Sequence, residues 1–331
     1  MTKVVIIFII FVDHMKSVLA FVALVALAVS TPIEMKEKVF QSYMMQHNKM
    51  YDTWEEYNFR MEVMMANFQK VRAEHPEFKP HQMGPYFDME EEEFSASRNG
   101  FKPELRTTER NVKYLKPSNA QKVDWRSSGA ITPVKNQGSC GSCWAFSTTG
   151  SLEAAYYFKN KNLKSFSEQQ LVDCSTSFGN QGCNGGLMDD AFKYLKTSKS
   201  EQESSYPYTG ADGTCSYNEG QGVTNVASYT DVAQDCSQLK AAVSRGPVSV
   251  AVEANFWWQM YFGGISKACS PGTKESSLNH GVLAVGYDDT ASTPYWIIKN
   301  SWGGSWGESG YIRLAQSNDC GICLSASYPE V

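Results

Sequence analysis

Two hydrophobic runs open the chain, Val4–Val12 and Val18–Val29, parted by Asp13, His14 and Lys16. Neither reaches the ~18–20 residues that cross a bilayer as a helix. The second has the layout of an export signal: Met15-Lys16 as a start with a positive flank, an apolar core, then Ala28-Val29-Ser30 as a small-residue cleavage site. Residues 1–30 are expected to be removed, with Met15 as the natural start and Met1–His14 an upstream extension; the competing reading is one uncleaved anchor. Between residues 34 and 80 apolar side chains recur at steps of three and four. Trp54, Tyr57, Met61, Met64, Met65, Phe68 and Val71 share one helical stripe, and Glu56 and Arg60 form an i,i+4 pair on it. An acidic run, Glu90–Glu93, follows. A looser stretch with Pro103 and Pro117 then reads as an extended linker.

The pattern changes near residue 118. Cys143 through about Phe158 reads as a helix, and Ser167-Glu168-Gln169-Gln170 as a capping box that opens another, through Asp173. In the final third, Pro247–Val252, Gly281–Tyr287, Tyr295–Lys299 and Gly310–Leu314 are short runs rich in Val, Ile and Tyr, the mark of strands. Helices first and strands later predict an α+β chain with two lobes. No later apolar run is long enough to span a membrane, so no stable membrane association is expected once the signal is gone.

Composition narrows the chemistry. A chain of 331 residues, 42% hydrophobic, can bury a substantial core. A net charge of −5 offers no basic stripe, which argues against nucleic acid as a partner. All nine cysteines lie beyond Val123. Their odd number suggests pairs plus one free, reactive thiol, and pairs imply an oxidising compartment.

The free thiol has a candidate. In Gln137-Gly138-Ser139-Cys140-Gly141-Ser142-Cys143-Trp144-Ala145-Phe146 a Gly/Ser-rich loop runs into a helix that starts with Cys143. The nucleophile is thiolate, and a helix N-terminus, with its partial positive charge and unsatisfied N–H groups, favours it. Those N–H groups also suit an oxyanion. A base is needed. Of five histidines, His14, His47, His75 and His81 precede the cysteine-rich part, leaving His280 in Leu278-Asn279-His280-Gly281. Asn300, in Lys299-Asn300-Ser301-Trp302-Gly303, can accept the imidazole N–H and fix its tautomer, and Trp302 can cover that contact. Two other readings weigh less. A redox pair Cys140-x-x-Cys143 would need a βαβ unit around it. A zinc site would need a second ligand pair, and Cys320-x-x-Cys323 has no histidine near it. No metal and no cofactor are expected.

On these residues the chain resembles the papain-like cysteine peptidases, and within them the cathepsin L group. The likeness extends to Val123-Asp124-Trp125-Arg126, Cys183-Asn184-Gly185-Gly186-Leu187-Met188-Asp189, Tyr206-Pro207-Tyr208 and Gly246-Pro247-Val248-Ser249-Val250-Ala251. It implies a papain-like two-lobe fold, with a helical left lobe and a β-barrel-like right lobe, preceded by a helical prodomain. It implies a prodomain over residues 31–118 and a peptidase over 119–331, with cleavage near Pro117–Gln121. The activity implied is cysteine endopeptidase, made as a zymogen in the secretory pathway for lysosome, vacuole or export. It would act as a monomer on protein and peptide substrates, with its own prodomain as inhibitor. The stretch from Gly186 to Tyr206 is too short for the occluding loop of cathepsin B-like exopeptidases. A catalytically dead binding or storage relative is the alternative; Gln137, Cys143, His280 and Asn300 are all present against it.

The resemblance also assigns roles. Gln137 would complete the oxyanion hole. Gly185 and Gly186 would pair with substrate backbone. Leu187, Met188, Ala251, Leu278, Gly281 and Ser325 would form the pocket for the residue two before the cut (P2), mostly apolar and therefore suited to Leu, Val or Phe. Trp302 and Trp306 would line the leaving-group side. In the prodomain, Glu56, Arg60, Asn67 and Val71 match the helical inhibitory motif, with Met64 and His75 as departures. Tyr86 and Asp88 match the second motif, where Gly84 replaces Asn. The family pattern pairs Cys140–Cys183, Cys174–Cys215 and Cys269–Cys320, leaving Cys236 and Cys323 either bonded or as two buried thiols.

Overall fold

The computed structural model describes residues 32–107, 109–269, 272–318 and 320–331. The expected signal segment, with Met15 and the cleavage site at Ser30, lies outside them. The chain divides into two units, Met1–His81 and Gln82–Val331. The boundary falls well before the expected domain border at residue 118, so residues 82–118 fold with the larger unit.

In the first unit the expected stripe is a helix. Helix α1 (Pro32–His47) and helix α2 (Trp54–Glu74) pack around Phe40, which stacks on Tyr51 and meets Tyr57 edge-on. The Thr53 side chain caps α2 by accepting the Glu56 N–H. Met61, Met64, Phe68 and Val71 are buried along it, and Asn67 is half-buried on the same helix. Glu56 and Arg60 are 3.6 Å apart. Trp54 departs from the expectation: it starts the helix, where one flank is open, and lies exposed against Tyr57.

The larger unit holds helices α3 (Glu91–Arg98), α4 (Cys143–Asn160), α5 (Glu168–Cys174), α6 (Met188–Thr197), α7 (Cys236–Val243) and α8 (Phe256–Gln259). Its strands are β1 (Val112–Lys113), β2 (Lys122–Asp124), β3 (Ser228–Val232), β4 (Val248–Val252), β5 (Ile265–Ser266), β6 (His280–Asp288), β7 (Tyr295–Lys299), β8 (Tyr311–Ala315) and β9 (Ala326–Glu330). They form one sheet in the order β1-β3-β9-β4-β6-β7-β8-β5, with β2 pairing β6 off this path. The β1–β3 and β5–β8 pairs are parallel and the others antiparallel. The expected barrel-like lobe is corrected here: the end strands β1 and β5 do not pair, so the sheet stays open.

Alternation along β6 builds two faces. Val282, Ala284 and Tyr287 join one core with Trp258, Trp296, Trp302 and Trp306, whereas Leu283 and Val285 cluster with Ile297 on the other side. A second large core, of the helical half, gathers Cys143, Trp144, Leu152, Leu171, Phe192 and Leu195. Ala251 and Leu278 of the strand half join it, so the halves meet beside Cys143. The capping box at α5 is half made. Ser167 accepts the Gln170 N–H, but the Gln170 side chain turns away to Tyr194, Lys199 and Glu201. The acidic run is the start of α3, where carboxylates complement the helix dipole, and Glu91 accepts the Phe256 N–H at 2.8 Å. The expected linker is an ordered path. Residue Phe101 bridges Gly186 and β1 adds a strand to the sheet.

All four cysteine pairs are joined: Cys140–Cys183, Cys174–Cys215, Cys236–Cys323 and Cys269–Cys320. Cys143 alone is free, and it is buried.

Candidate active site

The site begins where loop becomes helix. Gly138, at φ 63°, turns the loop in the left-handed region that glycine tolerates. The Cys140–Cys183 bond and the Gly141 N–H to Cys183 carbonyl bond of 2.9 Å pin the loop to the strip before Gly185. Ser142 occupies the N-cap of α4 without capping it; its hydroxyl instead meets the Tyr208 hydroxyl at 2.6 Å, and Tyr208 donates to the Gln137 carbonyl. The first turn of α4 therefore keeps its N–H groups uncapped by Ser142 around Cys143.

His280 and Gly281 open β6 against this turn. The Gly281 N–H points to Cys143 Sγ at 3.3 Å, and a Cβ on Gly281 would lie 3.1 Å from the Trp144 Cα. The His280 Nε2 donates to Asn300 Oδ1 at 2.8 Å, so in the neutral ring Nδ1 is the basic nitrogen. Trp302 stacks on the imidazole, centroids 4.5 Å apart, and Trp258 meets it edge-on. Trp306 meets Trp302 edge-on and stacks on Trp258, and both Trp302 and Trp306 are buried while the N-terminal segment is in place. Gln137 is locked from below by Ser301, whose hydroxyl donates to its Oε1 at 2.7 Å. Sequence pattern alone gives Ser301 and Trp258 no role. Ser301 directly follows Asn300, which is the one signal that could single it out; Trp258 has none beyond its residue type.

The segment before residue 119 fills the site. Gln137 Nε2 donates to the Arg98 carbonyl at 2.8 Å, and the Gly100 N–H points to Cys143 Sγ at 3.2 Å. Gly186 N–H donates to the Gly100 carbonyl and Lys102 N–H to the Gly186 carbonyl, at 2.8 and 3.3 Å. Phe101 is buried in the core that holds Leu187, Met188, Ala251 and Leu278. Upstream, Phe94 and Tyr86 pack on Trp302, and the Tyr86 hydroxyl donates to its carbonyl. Asp88 is buried close by in the chain. Ser325 is reached by Arg106 Nη2 at 3.4 Å.

Burial controls the charge state. It pushes the Cys143 thiol up, against the N–H groups of Gly281, Gly100, Trp144 and Phe101, which pull it down. It pulls His280 down to about 4, only partly offset by Asn300 and the Arg98 backbone. The covered pair is thus thiol and neutral imidazole. A pH prediction follows for His280. An exposed imidazole protonates near 6.5 and the covered one near 4, so unfolded or uncovered forms bind more protons in between. Falling pH across this window should destabilise the closed chain by up to ~3 kcal/mol. Asp231, raised by burial to about 6, acts in the opposite direction. Thermal melts of wild type and His280→Gln at pH 7 and 4.5 isolate the histidine. The glutamine variant should lose less stability on acidification, and an identical loss would refute the assignment.

Known proteins place this arrangement. A family model for papain family cysteine proteases matches residues 119–330. Cathepsin L of Sarcophaga peregrina is 41% identical over 96% of this chain and its own full length. Procathepsin L of Mus musculus is 41% identical over 86% of this chain and 89% of its own. Digestive procathepsin L 3 of Tenebrio molitor larval midgut superposes with a TM-score of 0.80 at 38% identity, covering 89% of this chain and 99% of that one. Relatives matched along nearly their whole length, and a proform among the solved structures, agree with a cleft closed by the chain's own N-terminal segment. The chain belongs to the papain family of cysteine proteases, as a cathepsin L-like endopeptidase in its zymogen form.

Proposed function

We propose that Cys143 is the nucleophile, His280 its proton partner, Asn300 the group that orients His280, and Gln137 with the Cys143 N–H the oxyanion hole. Removing residues 31–118 exposes the pair to water and lifts the desolvation that keeps it neutral. The proton then moves from Sγ to Nδ1, and the thiolate attacks the scissile carbonyl. The new oxyanion takes the hydrogen bond that Gln137 now gives Arg98. His280 returns its proton to the leaving amine, a thioester forms, and water activated by His280 releases the acid and restores the thiol.

One observation carries this reading. A peptide backbone already lies across Cys143 with its Arg98 carbonyl on Gln137, and it runs parallel to Gly186. Its order, Phe94 at Trp302, then Gly100 at Cys143, then Lys102 at Gly186, is the reverse of a substrate with P2 at Gly186 and its leaving group at Trp302. Leu187, Met188, Ala251 and Leu278 around Phe101 then favour Leu, Val or Phe at P2, with Ser325 at the floor. Cleavage falls near Pro117–Gln121, beyond β1. We infer export by residues 1–30, a monomer free of membranes, and action in a lysosome, vacuole or outside the cell. The four disulfides fit an oxidising compartment.

Acid-treated protein should cleave peptides with Leu or Phe at P2 at least ~10-fold faster in kcat/KM than Ala peptides, the effect of burying a large apolar side chain. An epoxide that alkylates active thiolates should label Cys143. Label elsewhere, or cleavage indifferent to P2, would overturn the assignment.

A further inference from the structure

Beyond the P2 pocket the N-terminal segment meets two carboxylates. Asp189 stands in the first turn of α6, next to the pocket residue Met188, and Asp231 on β3 pairs across the sheet with Ser327 of β9. Both are nearly fully buried, with 5% and 3% of their surface exposed. Arg106 Nη1 lies 2.5 Å from Asp189 Oδ2, and its Nη2 reaches Ser325 Oγ, at the floor of the P2 pocket. Ser327 donates to Asp189 Oδ1 at 2.7 Å, and the Asn111 N–H donates to Asp231 Oδ2 at 2.6 Å.

The guanidinium groups that face these carboxylates and Glu275 both belong to that segment. Arg106 feels Asp189, Asp231 and Glu275 together. Arg110 of the same segment pairs with Glu275. Of the nearby cations that stay with the peptidase, Lys193 is committed to Asp190, at 2.7 Å. Loss of residues 106–113 therefore leaves two adjoining buried carboxylates that have lost a guanidinium and an N–H. Burial and mutual repulsion already raise Asp231 with the cation present. Such a pocket is relieved by taking up a proton or by taking a cation back, and beside a substrate cleft the substrate can bring the cation.

We propose that Asp189 and Asp231 form a cation-accepting subsite of the matured enzyme, held by Arg106 in the precursor and by an arginine or lysine of the substrate afterwards. The proposal rests on the reading that residues 31–118 leave. Phe101 occupies the P2 pocket, and Arg106 follows it by one tight turn, Pro103–Leu105. Such a turn advances only ~2 Å per residue against ~3.3 Å in an extended peptide. A substrate running the other way covers the same span in fewer residues, which puts its basic side chain at P4 or P5. The planar guanidinium suits a carboxylate better than an ammonium does, so arginine should exceed lysine.

The test uses the matured enzyme, made by processing the full-length precursor, and peptides with Leu at P2 and Arg, Gln or Glu at P4 and P5. The Arg peptide should be cleaved about tenfold faster in kcat/KM than the Gln peptide, and the Glu peptide more slowly than either. The Arg advantage should shrink as salt rises from 0.05 to 0.5 M, as screening requires (~Debye length 10 Å at 0.1 M). In Asp189→Asn and Asp231→Asn the Arg-to-Gln ratio should fall toward one, with the Gln peptide as internal reference. Equal cleavage of the Arg and Glu peptides by the wild-type enzyme would overturn the subsite even if neither variant folds. Labelling at Cys143 and turnover of the Gln peptide in the same samples report separately on the peptidase assignment.

Discussion

Replacing His280 with alanine should lower kcat/KM of the matured enzyme by at least ~10⁴-fold, the loss typical when one member of a nucleophile–base pair is removed. Two steps fail together. On the proposed roles, the thiol would lose the partner that takes its proton, and the leaving amine the group that protonates it. The imidazole stacks on Trp302 and is held by Asn300, a fixed orientation that a mobile water in the opened cleft does not share. Alkylation of Cys143 against pH is the sharper readout. Wild type should show a reactive thiolate well below the ordinary thiol pKa, and the alanine variant should react as a common cysteine, only at alkaline pH. A variant that kept the low-pH limb would remove His280 from the mechanism. Asn300→Ala should cost less, because it loosens the ring without removing the base.

The second large effect concerns latency. A Cβ on Gly100 would fall 1.7 Å from the Gly141 carbonyl oxygen, a backbone atom that cannot step aside. Gly100→Val should therefore lift the segment off the thiol. That forfeits the two backbone bonds with Gly186, at ~0.5–1.5 kcal/mol each, and unseats Phe101, at ~1.5–3 kcal/mol. Together these predict inhibition weakened by ~100-fold or more. Unprocessed precursor at pH 7 provides the measurement: Cys143 should be labelled slowly in wild type and at a rate approaching the mature enzyme in the valine variant. Equal, slow labelling of both would mean that Gly100 is not what holds the cleft shut.

Local pattern revealed what local chemistry determines. The α4 start at Cys143 was legible because a Gly/Ser loop and an apolar helix adjoin there, and β4, β6, β7 and β8 were legible because each is a compact apolar run. The helical stripe of α2 was legible from Met61 to Val71 and failed at Trp54, where position in the helix outweighs side-chain type. What stayed hidden depends on distant partners. β1 has two exposed residues and no alternation to read; only the edge of β3 makes it a strand. The need for glycine at position 100 is set by Gly141, far along the chain. The stretch Ser147–Ser151 is wholly buried although its side chains are small and mostly polar. Ser147 is matched to Val282, Ser249 bonds both Ser147 and Ser151, and Lys135 bridges Glu153 and Glu168. At the candidate site, the residue types pointed to thiol chemistry, whereas the support of Gln137 by Ser301 required coordinates.

Tyr86 and Phe94 sit in the same core as Trp302 and Trp306, and β1 completes an edge of the sheet. The scaffold that the chain reaches on first folding is thus larger than the piece left after cutting. Trimming at the proposed site would remove parts of the interior around which the chain assembled, and persistence would then depend on how slowly the remainder comes apart. A molecule cut at the proposed site would thus keep the barrier to opening as its safeguard, without the interior that guided its assembly.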